Sequence, residues 1–238
     1  MRGSLALVGS GEYLPAMAQL EKSLIQDGLT NGKANKFVQI PTAAGRESKD
    51  RLEFWRELGA KQASLIGVEQ IFLPIFNRDS ANNQDFADLI SDSGLIYMSG
   101  GDPHYLAQTL IGTPVWEAIL KNWQSGGSLA GCSAGAMVLS SQVPNFRLLK
   151  HGPTPGLDVI GNIRVIPHFN KFFKWIPDAA AKVLLHTPQG SILLGVDEMT
   201  ALVQRSGNDY WQVSGQAKVH VLQGAPVEQL AEGQRIKF

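Results

Sequence analysis

The sequence predicts an α/β fold: a mainly parallel sheet flanked by helices, followed by a strand-rich antiparallel C-terminal part. Three observations carry this. From Leu5 to Leu139, short apolar runs alternate with segments of helical spacing. Such alternation means parallel strands covered by helices. Several runs end in turn residues such as Gly9-Ser10-Gly11 and Ser99-Gly100-Gly101-Asp102. From Ile192 onward strand follows strand with short turns between, which favours antiparallel pairing. A chain of 238 residues with 44% hydrophobic content can bury one sizeable core, so one domain over 1–238 is expected.

The elements follow in order. Leu5–Val8 is a short apolar strand. Pro15 to Ile25 has helical spacing at Met17, Leu20, Leu24 and Ile25. Lys36–Ile40 is the next strand, ended by Pro41, and Ser48 caps a helix running to Leu58. Gln70–Ile75 and Leu95–Met98 read as strands, with a helix over Asp85–Ile90 between them. Helices are expected at Tyr105–Leu110 and Pro114–Trp123, then a strand at Gly127–Ala130 and a helix opening at Ala136. Val143 to Gly156, with its prolines and glycines, reads as a long loop. Ile163–Ile166 is a strand leading to Pro167-His168, and Ile176–His186 a helix. Ile192–Val196, Thr200–Val203, Tyr210–Val213 and Val219–Leu222 close the chain as strands, with turns at 206–209 and 214–216.

Composition narrows the function. The formal net charge is zero, which gives no whole-chain attraction to nucleic acid or anionic membrane. No apolar run reaches the length of a membrane span. The apolar stretch after Met1 stops at Gly9 with no cleavage region behind it, so a first strand is expected there rather than a signal peptide. One cysteine forms no internal disulfide, and no Cys/His spacing suggests zinc. The expectation is a cytoplasmic protein without metal or cofactor. Gly9-Ser10-Gly11 lacks the spacing of a dinucleotide site.

The run Gly131-Cys132-Ser133-Ala134-Gly135 is the most informative in the chain. It reads Gly-x-Ser-x-Gly between a strand and a helix, the context of a nucleophile elbow. Such a turn strains the central residue and needs small neighbours. The helix N-terminus behind it offers unpaired N–H groups to a developing oxyanion. Ser133 is central, and Cys132 is off-centre. Among His104, His151, His168, His186 and His220, His168 is best placed as a base, because it follows a strand at a carboxyl end. Asp197 and Glu198 also follow a strand end, while Asp158 precedes the histidine strand. Asp197, Glu198 or Asp158 could orient the imidazole. Gly100 and Gly101 let backbone approach a ligand, and an N–H there could complete an oxyanion hole with Ala134.

These residues together resemble the peptidase E and cyanophycinase family of serine peptidases. The matching blocks are Gly131–Ala136, Gly100-Gly101-Asp102, Pro167-His168-Phe169 and Gly195–Ala201. The resemblance implies the fold of class I glutamine amidotransferases, with serine in place of their cysteine. It implies Ser133 as nucleophile, His168 as base and Glu198 in the acidic position. Pro103 stands where cyanophycinases usually carry Gln, and lysines rather than arginines follow His168.

The expected activity is hydrolysis of a short peptide through an acyl-enzyme on Ser133. Gly100, Gly101, Asp102 and Ala134 are expected around the oxyanion and substrate. Arg147, Lys150, Lys171 and Lys174 flank His168 in sequence and would favour acidic peptides, such as Asp-containing dipeptides. The alternatives are cyanophycinase-like cleavage of Asp-Arg peptides and an amidotransferase-like binding or sensor protein. The expected partner is a small peptide, with no nucleic acid and no membrane; a homodimer is left open.

Overall fold

The computed structural model describes residues 1–143, 154–175, 190–226 and 229–238. In chain order the strands are β1 (Leu5–Val8), β2 (Ala34–Ile40), β3 (Glu69–Phe72), β4 (Ser93–Met98), β5 (Ser128–Cys132), β6 (Gln142–Val143) and β7 (Thr154–Pro155). Then come β8 (Ile163–Ile166), β9 (Ile192–Val196), β10 (Thr200–Gln204), β11 (Trp211–Gly215), β12 (Val219–Gln223), β13 (Gln229–Leu230) and β14 (Arg235–Ile236). The helices are α1 (Ala18–Thr30), α2 (Lys49–Ile66), α3 (Arg78–Ala81), α4 (Gln84–Ile90), α5 (Pro103–Leu110), α6 (Pro114–Gln124), α7 (Ala134–Val138) and α8 (Phe169–Trp175).

Among the described residues the main sheet runs β14-β11-β10-β1-β5-β4-β2-β3. The five strands from β1 to β3 are parallel, and β10, β11 and β14 extend them antiparallel. A second sheet, β13-β12-β9-β8, keeps β8 and β9 parallel. Alternation along the central strands builds a core on each face. Leu7, Ile96 and Leu129 point to the side of α4–α7. Ala6, Tyr97 and Ala130 point to the side of α1 and α2.

Local chemistry sets the helix ends. Ser48 Oγ accepts from the Arg51 N–H, and Gly67 stops α2 at φ 75°. Asp102 and Thr113 each cap a helix whose first residue is proline.

Several elements differ from expectation. β3 stops at Phe72, because Pro74 brings no N–H to a ladder. α2 continues to Ile66. The turn at 214–216 does not join a hairpin: β12 pairs with β9 and β13, in the other sheet. The two ends of the predicted loop meet as β6 and β7. The rest of that loop, and the helix predicted over Ile176–His186, lie outside the described residues. Among the described residues no helix is long and apolar enough to cross a membrane.

Candidate active site

Ser133 stands between β5 and α7 with φ 51° and ψ −110°, a region that L-residues rarely occupy. Its neighbours explain how the turn closes. A Cβ on Gly131 would meet the Gly135 carbonyl oxygen at 2.3 Å, and one on Gly135 would meet the Met98 carbonyl oxygen at 2.3 Å. In the run 126–140 every residue is buried except Ser133, which is partly exposed. The preceding thiol points the other way. Cys132 is fully buried, and its S–H donates to Glu12 Oε2 at 3.0 Å. Burial, then the Glu12 carboxylate, pushes the thiol well above its ordinary pKa, so Cys132 is no thiolate nucleophile.

His168 lies at the carboxyl end of β8, also at positive φ (51°). Its Nε2 is 3.2 Å from Ser133 Oγ, and its Nδ1 is 2.9 Å from Glu198 Oε1. β8 and β9 are parallel neighbours, so residues just past their ends fall side by side. Lys171 Nζ holds the other Glu198 oxygen at 2.6 Å. Burial works against the Glu198 charge, but the bonds from Lys171 and His168 outweigh it and hold the carboxyl below the usual range.

One strand end anchors all three. The Val8 carbonyl accepts from the Ser133 N–H at 2.9 Å, Gly9 from His168 at 3.3 Å, and Ser10 from Met199 at 3.3 Å. A Cβ on Gly9 would strike the Asp197 carbonyl oxygen at 2.1 Å. The Gly9-Ser10-Gly11 turn, which offered no dinucleotide spacing, therefore seats the loops that carry Ser133, His168 and Glu198. Glycines after a strand were the only sequence signal for it.

The loop after β4 divides its predicted roles. The Gly100 N–H donates to Glu12 Oε1 at 2.9 Å, so it is not available to an oxyanion. A Cβ on Gly100 would lie 2.9 Å from Glu12 Oε1 and 3.2 Å from the Ser133 Cβ, and these two close approaches favour glycine. Gly101 is exposed at φ 140°, and among the described residues its N–H has no acceptor. Ala134 opens α7, so its N–H has no carbonyl one turn back. Asp102 Oδ1 accepts from the His104 and Tyr105 N–H groups and serves as the α5 cap.

The other candidates stand apart. Asp158 is exposed and precedes β8, at the end of that strand opposite His168. His104 Nδ1 contacts Thr154 Oγ1, and His220 Nε2 contacts Asp197 Oδ1. His151, His186, Arg147 and Lys150 lie outside the described residues, as does the Lys174 side chain. Among the described residues no group of three or more His, Cys, Asp or Glu could hold a metal.

Behind the site, Glu21 is fully buried and accepts from the Tyr13 N–H and from Gln62 Nε2. Burial above all raises its carboxyl from 4.5 to about 8. The folded state thus keeps a proton that the unfolded chain releases. This stability is whole below about pH 4.5 and is lost as pH rises to about 8. Relative to Glu21→Gln, wild type should lose stability between pH 5 and 8, at no more than about 1.4 kcal/mol per pH unit. Urea midpoints of both proteins at the two pH values check this; a constant difference contradicts it.

The comparisons agree with this architecture. The chain is 27% identical over 207 residues to a cyanophycinase of Geminocystis herdmanii, covering 81% of this chain and 71% of that one. It is 28% identical over 209 residues to a cyanophycinase of Trichormus variabilis, covering 80% of this chain and 64% of that longer relative. A crystal structure of a peptidase from an acI-B1 Actinobacterium superposes with a TM-score of 0.97 at 65% identity, covering 100% of this chain and 98% of that one. A candidate peptidase E protein from Listeria monocytogenes EGD-e shares the fold, with a TM-score of 0.66 at 18% identity, covering 91% and 100%. The family model for peptidase family S51 matches residues 5–209, most of the chain. The chain belongs to peptidase family S51, and the activity this membership supports is that of a peptidase.

Proposed function

We propose that this protein is a serine-type peptidase that hydrolyses short peptides through an acyl-enzyme on Ser133. The observation that carries the reading is the line Ser133 Oγ, His168, Glu198, with contacts of 3.2 and 2.9 Å. Ser133 Oγ attacks the amide carbonyl carbon while His168 Nε2 takes its proton. The N–H groups of Gly101 and Ala134 receive the oxyanion. The C–N bond breaks as His168 returns the proton to the leaving amine. Water then attacks the ester, gives a proton to His168, and Ser133 regains it on release of the acid. Glu198 holds the Nδ1 proton throughout and stabilises the imidazolium.

Asp-containing dipeptides are the substrates we favour. The cation argument changes in detail: Lys171 bridges to Glu198. A second cation, Arg46, lies past the carboxyl end of β2, with its guanidinium 4.0 Å from the Tyr105 ring centroid. Arg46 follows the turn whose Ala43 carbonyl accepts from the Asp102 N–H, beside Gly101. The cyanophycinase relatives support a second reading, cleavage of Asp-Arg peptides. The buried Cys132 thiol speaks against cysteine-dependent amidotransferase chemistry.

A single panel tests the proposal. Asp-Leu should be cleaved with higher kcat/KM than Lys-Leu, the ratio shrinking at high salt. A fluorophosphonate should add to Ser133 and stop the reaction. Equal values for the two dipeptides would remove the electrostatic part. Preferred cleavage of an Asp-Arg dipeptide would favour the second reading, and absence of both turnover and label would favour a binding or sensor role.

A further inference from the structure

Glu12 is a buried carboxylate, 8% exposed, for which the peptidase mechanism has so far no use. Both its oxygens are engaged by donors on two different strand ends. Oε1 accepts from the Gly100 N–H at 2.9 Å, and Oε2 from the Cys132 S–H at 3.0 Å. Those two donors flank the reaction centre. Cys132 directly precedes Ser133, and Gly100 directly precedes Gly101.

The next residue reinforces the clamp. Tyr13 is held at φ 60°, and its hydroxyl is 2.8 Å from Ser99 Oγ. On the far side the Asp102 N–H donates to the Ala43 carbonyl at 2.9 Å. The loop Ser99–Asp102 is therefore tied at Ser99, Gly100 and Asp102, and the N–H left over is that of Gly101. A glycine pair has little conformational preference of its own, so outside contacts must set its peptide planes.

We propose that Glu12 is a positioning residue: its carboxylate fixes the Ser99–Gly100 peptide relative to the Ser133 turn, and so aims the Gly101 N–H at the oxyanion. The proposal rests on the serine mechanism above. The described bonds of Glu12 go to Gly100 and Cys132 and not to Ser133 Oγ or His168, so it acts through Gly100. Its effect therefore belongs to the transition state, where the oxyanion forms, and not to substrate binding.

Glu12→Ala should lower kcat roughly a hundredfold, as loss of one oxyanion donor does, with KM within about twofold of wild type. The rate of fluorophosphonate addition to Ser133 should fall in parallel. Glu12→Gln keeps an oxygen for the Gly100 N–H and should recover most of kcat. Cys132→Ala removes the bond that ties the carboxylate to the Ser133 turn but leaves the Gly100 bond in place, and should lower kcat by less than Glu12→Ala does. Urea midpoints report whether each variant is folded. If Glu12→Ala is not, Tyr13→Phe carries the test, with a severalfold loss in kcat and unchanged KM expected. A folded Glu12→Ala enzyme with wild-type kcat, a loss confined to KM, or a Tyr13→Phe enzyme with wild-type kcat in that second case overturns the proposal. An unlabelled wild-type Ser133 overturns the serine mechanism and this proposal with it; a labelled wild type beside an unimpaired Glu12→Ala overturns this proposal alone.

Discussion

Ser133→Ala is expected to lower hydrolysis by roughly three orders of magnitude or more while leaving the fold in place. The side chain makes one described contact, to His168 Nε2, and is partly exposed, so its removal leaves no buried group without a partner. The strained backbone at φ 51° is no worse for alanine than for serine. Under the proposed mechanism, what disappears is the atom that bonds to the carbonyl carbon. Cys132→Ser serves as the control and should retain most activity, because that side chain is buried against Glu12 and a serine hydroxyl can still donate to it. Peptidase assays and intact-mass labelling of both variants check this. Thiol alkylation that stops wild type and spares Cys132→Ser would move the nucleophile to the thiol.

Glu198→Gln should bring the next largest loss, up to roughly 10⁴-fold in kcat. The carboxylate accepts from His168 at one oxygen and from Lys171 at the other, and these bonds keep it ionised through the neutral range. An amide can present its NH₂ to Nδ1, which leaves the imidazole protonated on Nε2, the wrong tautomer to take a proton from Ser133. Even with the oxygen turned to His168, the charge that stabilises the imidazolium is gone. KM should change little, since the effect belongs to the proton transfer. Asp158→Asn, at the opposite end of β8, should leave kcat within about twofold. Loss of activity in Asp158→Asn with an active Glu198→Gln would reverse the assignment of the acid.

The α/β architecture and the positions of the three strand ends were legible because they follow from local signals. Apolar runs of strand length, helix caps such as Ser48, and glycines that no larger residue could replace all act within a few positions of the chain. The two-residue strands β6, β7, β13 and β14 were not legible, because two residues carry no period. The turn at 214–216 has the chemistry of a hairpin turn. The sheet that each flanking strand joins depends on partners far away in sequence.

The site divides along the same line. Sequence alone determined that Ser133 sits in a strand–turn–helix of small residues, and that His168 and Glu198 each follow a strand. It left the acid open between Glu198 and Asp158, since both are within reach of a histidine when only order along the chain is known. Tertiary structure decided for contact with Glu198, because parallel pairing of β8 with β9 brings like ends together and puts residue 158 at the opposite end of the strand. It also decided which N–H groups are already engaged. Gly100 and Gly101 are equivalent as letters, but Glu12, 88 positions away, takes the first and leaves the second. A hydrogen bond between distant segments exists only once the sheet has set their separation and direction, and no pattern within either segment encodes it.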